Sequence, residues 1–471
     1  MLVKTYLVIF KQITDDMRKI FVLAFALFTI SVSFSQTSDS LMIRQVADEI
    51  LVNSKAYDNL THLTKKIGSR LSGSAGMVKS EKWGLQAMKD AGADKSWLQQ
   101  CMVPHWVRGA KEELKIASGN YKNKRLAVAA LGNSTGNGTK GITAPVIEIK
   151  SFEDLETKRD EVKGKVVFYN YKFNPKLVRT FESYSDAGKY RYMGPTNAAK
   201  YGAAAVIVRS MSHSVDNYPH TGATASGDSI PKIASVAIGL HDADWLHNQL
   251  QNGPVSVFLK SNARFLPDTI GHNVIGEITG SEFPGEIITV GGHLDSWDLA
   301  EGAHDDGTGV VQTIEILRVF KALGFKPKHT IRFVLFANEE NGLRGGTKYA
   351  EEAKAKNEKH IFALESDAGG FAPRAFSMEG NAEQIQKMKS WIPLLQPYGV
   401  YEILTLGSGA DIGPITSAYK IPGAELIPET QRYFDYHHAK NDVLENVNKR
   451  ELELGAINMA ALIYLVDKYG L

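Results

Sequence analysis

Imidazole and carboxylate side chains follow successive apolar, strand-like runs of this chain at the point where each run ends. These residues are His293, Asp295, Glu339, Glu340 and Asp367. Asp305 stands in a loop ahead of an amphipathic helix, and His438 follows much later in the chain. Open α/β sheets bind ligands at the carboxyl ends of their strands, so the fold would bring these side chains to one edge. We therefore expect a metal site there.

The ligand types restrict the metal chemistry. Nitrogen and oxygen donors without a thiolate suit zinc, cobalt or manganese, and the single cysteine, Cys101, lies far upstream. The candidate metal ligands are His293, Asp305, Glu340, Asp367 and His438. Five donors exceed what one ion needs, whereas two ions about 3.5 to 4 Å apart that share a carboxylate would use them all and lower the pKa of a water between them. This chemistry predicts a hydrolase.

Together these motifs resemble the two-zinc aminopeptidases and carboxypeptidases of peptidase family M28. The resemblance rests on the segments 292–298, 302–306, 339–340 and 365–369 and on His438. The first of these segments, Gly-His-Leu-Asp-Ser-Trp-Asp, is similar to the carboxypeptidase Q-like branch of the family. The similarity covers nearly all of the chain beyond its N-terminal segment.

The resemblance implies a role for each candidate ligand. Asp305 would bridge two Zn²⁺ ions, for which Co²⁺ or Mn²⁺ could substitute. His293 and Asp367 would complete one site, and Glu340 and His438 would complete the other. The register of the family motifs selects Asp305 over the adjacent Asp306 as a ligand. In the same way, it selects His438 over His437.

The resemblance also implies which neighbouring residues are catalytic. Glu339 would be the general base, which takes a proton from the attacking water and passes it to the departing amine. Asp295 would accept the second N–H of the His293 ring and so fix its tautomer. Asp306 would either support the metal ligands from behind or cap the following helix, and His437 would be a packed neighbour. His304, which matches no ligand of the family, would line the loop.

Two further segments leave alternatives open. The loop 407–411 lies where the family shapes its substrate pocket, and its glycines form either an ordinary turn or a backbone nest for an anionic group. The aromatic residues Tyr433, Phe434 and Tyr436 either pack together or line the pocket and donate to an oxyanion.

A substrate carboxylate would need a cationic partner. The candidates are Arg70, Arg344, Arg432 and Lys440, which the sequence does not rank and which are each most simply interpreted as surface charges.

The alternation of strands and helices after residue 265 predicts an α/β fold with a mostly parallel mixed sheet flanked by helices, the zinc exopeptidase fold. Residues 37–118 would be the N-terminal part of the peptidase domain, and residues 266–471 its metal-binding part. Between them, short β runs separated by glycine predict a β-rich insertion at 119–265. This insertion resembles the protease-associated domain that the family places ahead of its metal-binding strands. A chain of 471 residues exceeds what one core normally organises.

The N-terminus predicts export. A basic start at 17–19, an apolar stretch at 20–32 and polar residues after it are typical of a signal peptide over 1–36, whose true start could be Met17. We therefore expect a secreted or periplasmic protein with no stable membrane span after cleavage. The net charge of +2 argues against a nucleic-acid partner.

The leading hypothesis is a zinc-dependent exopeptidase that acts on dipeptides or short peptides. One alternative keeps the metal site in an M28 aminopeptidase that releases N-terminal residues, or in another amidohydrolase. The other is a non-catalytic binding protein on the same scaffold, which would require loss of ligands, whereas all five are present. The partner would be a short peptide substrate, and the oligomeric state, for which a homodimer is one option, stays open.

Overall fold

The computed structural model describes residues 38–225 and 230–471. The predicted signal peptide at 1–36 lies outside the described residues. Within those ranges, no helix combines the length and the apolar character that a membrane span requires.

The strands belong to two sheets. In chain order they are β1 (Lys95–Val107), β2 (Glu113–Ile116), β3 (Val128–Ala130), β4 (Ile142–Ile149), β5 (Val166–Tyr169), β6 (Ala205–Arg209), β7 (Ala234–Ile238), β8 (Ser256–Lys260), β9 (Arg264–Ile278), β10 (Phe283–His293), β11 (His329–Phe336), β12 (Lys359–Glu365), β13 (Pro373–Glu379), β14 (Glu402–Leu404) and β15 (Gly423–Pro428).

Helices flank both sheets. In chain order they are α1 (residues 38–53), α2 (Ala56–Thr61), α3 (Ala75–Asp90), α4 (Phe152–Thr157), α5 (Arg159–Val162), α6 (Thr180–Tyr192), α7 (Gly194–Lys200), α8 (Leu240–Gln251), α9 (Thr308–Ala322), α10 (Glu339–Gly342), α11 (Arg344–Ala355), α12 (Ala382–Ser390), α13 (Ile392–Leu395), α14 (Gly413–Tyr419), α15 (Tyr433–Tyr436) and α16 (Lys449–Tyr469). Single π turns occupy His62–Ile67 and Ala303–Gly307, and 3₁₀ turns occupy Gly119–Tyr121, Gln396–Tyr398 and Leu444–Asn446.

The larger sheet has the strand order β1-β9-β11-β10-β12-β15-β13-β14. Its central strands β11, β10, β12 and β15 run parallel, and β9 joins them antiparallel. β10 from Ile287 onwards, β11 and most of β12 are buried because helices such as α9 and α16 cover the sheet, which explains the continuous apolar runs. The predicted fold class, a mostly parallel mixed sheet flanked by helices, is confirmed.

The long final helix begins later than the sequence suggests. The apolar pattern predicts a helix from Leu444, but α16 starts at Lys449. The side chain of Asn448 accepts hydrogen bonds from the backbone N–H groups of Arg450 and Glu451 and so caps the helix there. The preceding residues form a 3₁₀ turn instead.

The smaller sheet has the order β2-β8-β4-β5-β6-β7-β3, and its strands β4 to β7 run parallel. The unit built around this sheet contains more helix than the predicted β-rich domain, because α6, α7 and α8 lie between its strands. β2 precedes the predicted boundary at residue 119 and already pairs with β8. The identification of this unit as a protease-associated domain stays a prediction.

The smaller unit contacts the larger one beside the carboxyl ends of β10 and β12. In the connection from β1 to β2, which joins the two sheets, Nη2 of Arg108 lies 2.6 Å from Oδ1 of Asp298, in the loop that follows β10. The backbone N–H of Thr221 donates to the carbonyl oxygen of His438 at 2.9 Å. The edge that carries the candidate ligands is therefore covered by residues of the smaller sheet.

Candidate metal centre

One group of candidate ligands gathers around the end of β10. Nε2 of His293, the last residue of that strand, lies 3.2 Å from Oδ1 of Asp305 and 3.3 Å from Oδ1 of Asp367. Asp367 follows β12, the parallel neighbour of β10, so the sheet itself brings these two residues together. His293 and Asp305 are buried and Asp367 is half-buried.

A second group shares the Asp305 carboxylate. Nε2 of His438 lies 3.3 Å from Oδ2 of Asp305 and 3.1 Å from Oε2 of Glu340. The ring of His437 stacks on that of His438 with 3.5 Å between centroids, and its Nε2 is 3.8 Å from the same Asp305 oxygen. His438 is thus the closer histidine and the one that also approaches Glu340.

The donor atoms of these groups fit divalent cations. Nε2 of His293, Oδ2 of Asp305 and Oδ1 of Asp367 are buried and form no hydrogen bond with suitable geometry, although they lie close to other polar atoms. Buried polar atoms are rarely left unpaired, so their convergence indicates a missing common partner. Imidazole nitrogens and carboxylate oxygens without sulfur are the donors that zinc, cobalt or manganese accept.

The carboxylates crowd together without enough positive charge. Burial and the neighbouring Asp305 raise the pKa of Glu340 well above its ordinary value. Burial, followed by the like charge of Asp367, raises the pKa of Glu339 to about 8. Burial also acts to raise the pKa of Asp305, but the close imidazole rings of His293 and His438 hold the pKa well below its usual range. Cations at this place would offset the repulsion.

Asp295 positions two residues of the centre, although not as predicted. Nδ1 of His293 lies 3.0 Å from the carbonyl oxygen of Asp295, whereas the Asp295 carboxylate is 3.8 Å away. That carboxylate accepts a hydrogen bond from the backbone N–H of Glu339 instead, at 3.0 Å. The chain turns back after β10, so the carbonyl and not the side chain faces the ring. The His293 tautomer is therefore set by main-chain geometry.

Arg70 is not a surface charge. It is completely buried, and its guanidinium donates to the carbonyl oxygens of Leu294, Glu301 and Gly302. These carbonyls belong to the two ends of the loop that separates His293 from Asp305. The interpretation of Arg70 as a surface charge is wrong, because the loop folds around it. Its hydrogen bonds hold the loop closed.

Two acidic side chains hold the segment that contains Asp305. The carboxylate of Asp442 accepts hydrogen bonds from the backbone N–H groups of His304 and Asp305, at 2.7 and 3.2 Å. Asp306 accepts from the N–H of His293 at 3.0 Å and from that of Gly309 at 2.9 Å, near the start of α9. The structure thus gives Asp306 the capping role that the sequence predicts.

His304 packs inside the loop and keeps its side chain away from the ligands. Its ring stacks on Phe371 with 4.2 Å between centroids, and its Nδ1 accepts a hydrogen bond from the N–H of Gly370. Nε2 lies 3.1 Å from the carbonyl oxygen of Asn446. Burial lowers the pKa of His304 to about 4, so the neutral ring is the stable form.

The loop 407–411 binds a carboxylate of the protein itself. Glu365 accepts hydrogen bonds from the backbone N–H groups of Ala410, Asp411 and Ile412. A Cβ on Gly409 would lie 2.5 Å from a carboxylate oxygen of Glu365, so only glycine allows this approach. The loop therefore forms a backbone nest rather than an ordinary turn, and the anion that the nest binds is the Glu365 carboxylate of the protein itself.

A cavity of about 460 Å³ opens above the ligands. The larger unit contributes Asp305, Glu339, Glu340, Asp367, Tyr433 and His438, among others. The smaller unit contributes Asn133, Tyr184, Arg191 and Thr224. Arg344, Arg432 and Lys440 are exposed and do not line it.

Sequence reasoning missed the contribution of the smaller unit. Arg191 lies in an ordinary amphipathic helix, α6, and no motif distinguishes it from other arginines. Tyr433 lines the cavity, whereas Phe434 packs against residues of the smaller unit such as Tyr184. Tyr436 stacks on the His304 ring at 5.4 Å.

Comparison with known proteins identifies the family. The model of peptidase family M28 matches residues 273–463, which contain the candidate ligands. Human Carboxypeptidase Q is 34% identical over 413 residues, which cover 88% of this chain and 85% of that protein. The chain belongs to peptidase family M28. The predicted enzyme class, a metallopeptidase, is thereby confirmed.

Two other M28-type relatives extend this result. The crystal structure of a peptidase M28 precursor from Shewanella amazonensis superimposes with a TM-score of 0.86 at 30% identity, covering 92% of this chain and 97% of that one. Aminopeptidase YwaD from Bacillus subtilis is 25% identical over 421 residues, covering 87% of this chain and 84% of that protein. Both the larger and the smaller unit are therefore shared with relatives over nearly their full length.

Proposed function

We propose that this M28 peptidase is a zinc-dependent exopeptidase that hydrolyses dipeptides or short peptides with two bound ions. The observation that carries the proposal is the position of Asp305, whose two carboxylate oxygens face different histidines at 3.2 and 3.3 Å. A carboxylate placed in this way suits a bridge between two cations.

Each ion would have its own protein ligands besides Asp305. His293 and Asp367 would hold the first, and Glu340 and His438 would hold the second. The donor chemistry, imidazole nitrogens and carboxylate oxygens without sulfur, supports zinc as the ion. Bound there, the ions would act as Lewis acids that polarise a peptide carbonyl and lower the pKa of a water.

Glu339 would move the proton. The Glu339 side chain lines the cavity beside Asp305 and Asp367. His293 and His438 lie closer to the carboxylates of the candidate ligands than to that of Glu339. Its carboxylate would take the proton of the attacking water and then donate it to the amine released from the peptide. The hydrogen bond from its N–H to Asp295 holds the start of α10 in place for this transfer.

The size of the cavity favours small substrates. About 460 Å³ accommodates a dipeptide or slightly longer ligand, and residues of the smaller unit face the metal ligands across it. A folded protein or an internal loop would not reach the scissile position. This supports cleavage at a chain end.

The aminopeptidase alternative keeps the same ions and base. It is favoured by the similarity to Aminopeptidase YwaD and by the half-buried carboxylates Glu339 and Asp367 in the cavity, which could accept a free ammonium group. The non-catalytic alternative is not favoured, because all five ligands and Glu339 are in place.

The test compares a free dipeptide with its N-acetyl and C-terminal amide forms. Loss of activity on the amide with tolerance of the acetyl group supports carboxypeptidase polarity, and the reverse supports the aminopeptidase. The Asp305→Ala variant serves as the inactive control. Efficient cleavage inside a long peptide blocked at both ends would overturn the exopeptidase proposal.

Secretion and a homodimer remain parts of the proposal that rest on sequence. N-terminal sequencing of the mature protein from its native host would show cleavage near residues 35–36 if the signal peptide is processed. Light scattering of the purified protein would give the oligomeric state.

A further inference from the structure

Trp297 contacts both ligands of the second group. It lies in the loop that follows β10 and is only 4% exposed. Its backbone N–H donates a hydrogen bond to Oε1 of Glu340 at 3.1 Å. Its indole packs edge to face against the ring of His438, with 5.8 Å between the centroids. One buried residue thus helps to position both Glu340 and His438.

The place of the Trp297 indole depends on the smaller unit. A Cβ on Gly132, which follows β3, would lie 1.8 Å from Cη2 of the indole, so the two segments touch at a distance that only glycine allows. The indole also packs against Trp106 of β1, with 6.1 Å between the ring centroids. Nε1 of Trp106 in turn donates to the carbonyl oxygen of Ser134 at 2.8 Å. The indole is therefore enclosed between β1 and the segment that follows β3.

An ion pair anchors the residue next to Trp297. Nε and Nη2 of Arg108 donate to the two carboxylate oxygens of Asp298, at 2.9 and 2.6 Å. Two parallel hydrogen bonds of this kind fix both the distance and the orientation of the pair. Nη1 of Arg108 donates to the carbonyl oxygen of Ala130, at the end of β3, at 2.6 Å. Arg108 therefore connects the loop after β10 to the smaller sheet.

The first group of ligands is held within the larger unit instead. The N–H of His293 donates to the carboxylate of Asp306, and its Nδ1 lies 3.0 Å from the carbonyl oxygen of Asp295. Asp367 follows β12, which pairs with β10. By contrast, the carbonyl oxygen of His438 accepts a hydrogen bond from the smaller unit. The two groups of ligands thus differ in what positions them.

We propose that contact with the smaller unit sets the affinity of the second metal site, and that Arg108 is the positioning residue through which it acts. The guanidinium fixes Asp298 in the loop. The adjacent Trp297 then holds Glu340 and His438 where one cation can bind both. The first site does not depend on this contact. The inference rests on the proposed two-ion centre and adds that its two sites are controlled separately.

The test measures how tightly each ion is held. Zinc-loaded protein is equilibrated with buffers of graded free Zn²⁺ concentration, and the retained ions are counted by elemental analysis. The ion that His438→Ala loses is the second one. In Arg108→Gln, the dissociation constant of that ion should rise about 10- to 100-fold, as is typical when a residue that orients metal ligands is lost. The dissociation constant of the first ion should stay unchanged.

The matched control is Arg209→Gln. Arg209 is as buried as Arg108 and forms a similar two-pronged ion pair with Asp244, but this pair lies within the smaller unit. Both dissociation constants of Arg209→Gln should equal those of the wild-type protein. A rise in the second constant as large as that of Arg108→Gln would overturn the specific role of Arg108.

The sign of the change separates positioning from electrostatics. Arg108 is positively charged, so its removal alone should make the surroundings more favourable for a cation. Positioning predicts the opposite, weaker binding of the second ion. Unchanged or tighter binding of the second ion in Arg108→Gln would overturn the proposal. Equal weakening of both ions would also overturn it, because that result indicates a general loosening of the fold.

Gly132→Ala tests the same route without touching a ligand or the ion pair. The added Cβ would displace the indole of Trp297, so the second ion should again bind more weakly than the first. This variant keeps the proposal testable if Arg108→Gln folds poorly. Wild-type affinity for both ions in Gly132→Ala would refute the route through Trp297.

The same measurement separates this inference from the proposed function. If the wild-type protein binds two ions but hydrolyses no peptide, the exopeptidase proposal fails, and the variants still decide the role of Arg108. Two ions with the same affinities in the wild-type protein and in Arg108→Gln would refute this inference alone. A single ion per wild-type chain would contradict the two-ion centre and this inference with it.

Discussion

The Asp295 carboxylate accepts a hydrogen bond from the backbone N–H of Glu339, with 3.0 Å between Oδ1 and N. The carbonyl oxygen of the same aspartate lies 3.0 Å from Nδ1 of His293. One buried residue thus connects a candidate metal ligand to the proposed general base. A substitution of Asp295 would therefore disturb both the ligand and the base. Substitutions of Glu339 or of a single ligand test the base and the metal site one at a time.

Glu339→Gln should abolish most activity and leave the metal content unchanged. Glutamine keeps the shape of the side chain but cannot accept the proton of water, and loss of a general base typically costs about 10²- to 10⁴-fold in kcat. Steady-state kinetics on a dipeptide and elemental analysis of the same sample check this. Activity close to that of the wild type would show that another group is the base.

Asp305→Ala should lose metal as well as activity. The wild-type protein is expected to contain two divalent ions per chain, and both candidate sites depend on the Asp305 carboxylate. Elemental analysis after gel filtration should find fewer than one ion in the variant, while its circular dichroism stays native. Full wild-type activity after exhaustive chelation would contradict the metal requirement itself.

Arg70→Met should destabilise the fold by about 3 to 5 kcal/mol. The substitution leaves three buried carbonyl oxygens without their donor and removes a cation close to Asp295, Asp305, Asp306 and Asp442. Thermal unfolding of the metal-free protein measures the loss. Arg44→Met is the control, because Arg44 is exposed and forms an ion pair with exposed Asp48, so the unfolding temperature of this variant should barely change.

Acid should destabilise the loop around His304. Burial lowers the pKa of this histidine from 6.5 to about 4, so its neutral ring contributes stability that is present above pH 6.5 and is lost as pH falls towards 4. The full loss amounts to about 3 kcal/mol. In the presence of a chelator, the unfolding temperature should therefore fall between pH 6.5 and 4.

The matched variants for this pH effect are His304→Gln and His241→Gln. Glutamine at 304 does not titrate, so this variant should be less stable at pH 7 but show a shallower fall. His241 is exposed, and its replacement should leave the slope as in the wild-type protein. An unchanged slope in His304→Gln would show that other groups cause the acid sensitivity.

Much of the fold was predictable because its central strands are locally encoded. The apolar runs 287–291, 331–336, 361–364 and 424–427 predict strands between helical patterns, and β10, β11, β12 and β15 lie there, within a few residues of those bounds. β1, β13 and β14 were not predicted; β1 and β14 are edge strands, which are partly exposed and have a weak pattern. The late start of α16 depended on the cap by Asn448, which local apolar periodicity does not reveal.

The sequence by itself determined the family to which this chain belongs, and it predicted which side chains would hold ions and which carboxylate would move a proton. These features are local, because each is a short motif, and most of the motifs follow the end of a strand. Only the tertiary structure decided that Arg70 closes the ligand loop, that Glu365 fills the glycine-rich nest, and that Arg191 meets His438 from 247 positions away. Such contacts arise from how distant segments and two sheets pack against each other, and no periodicity along the chain records that packing.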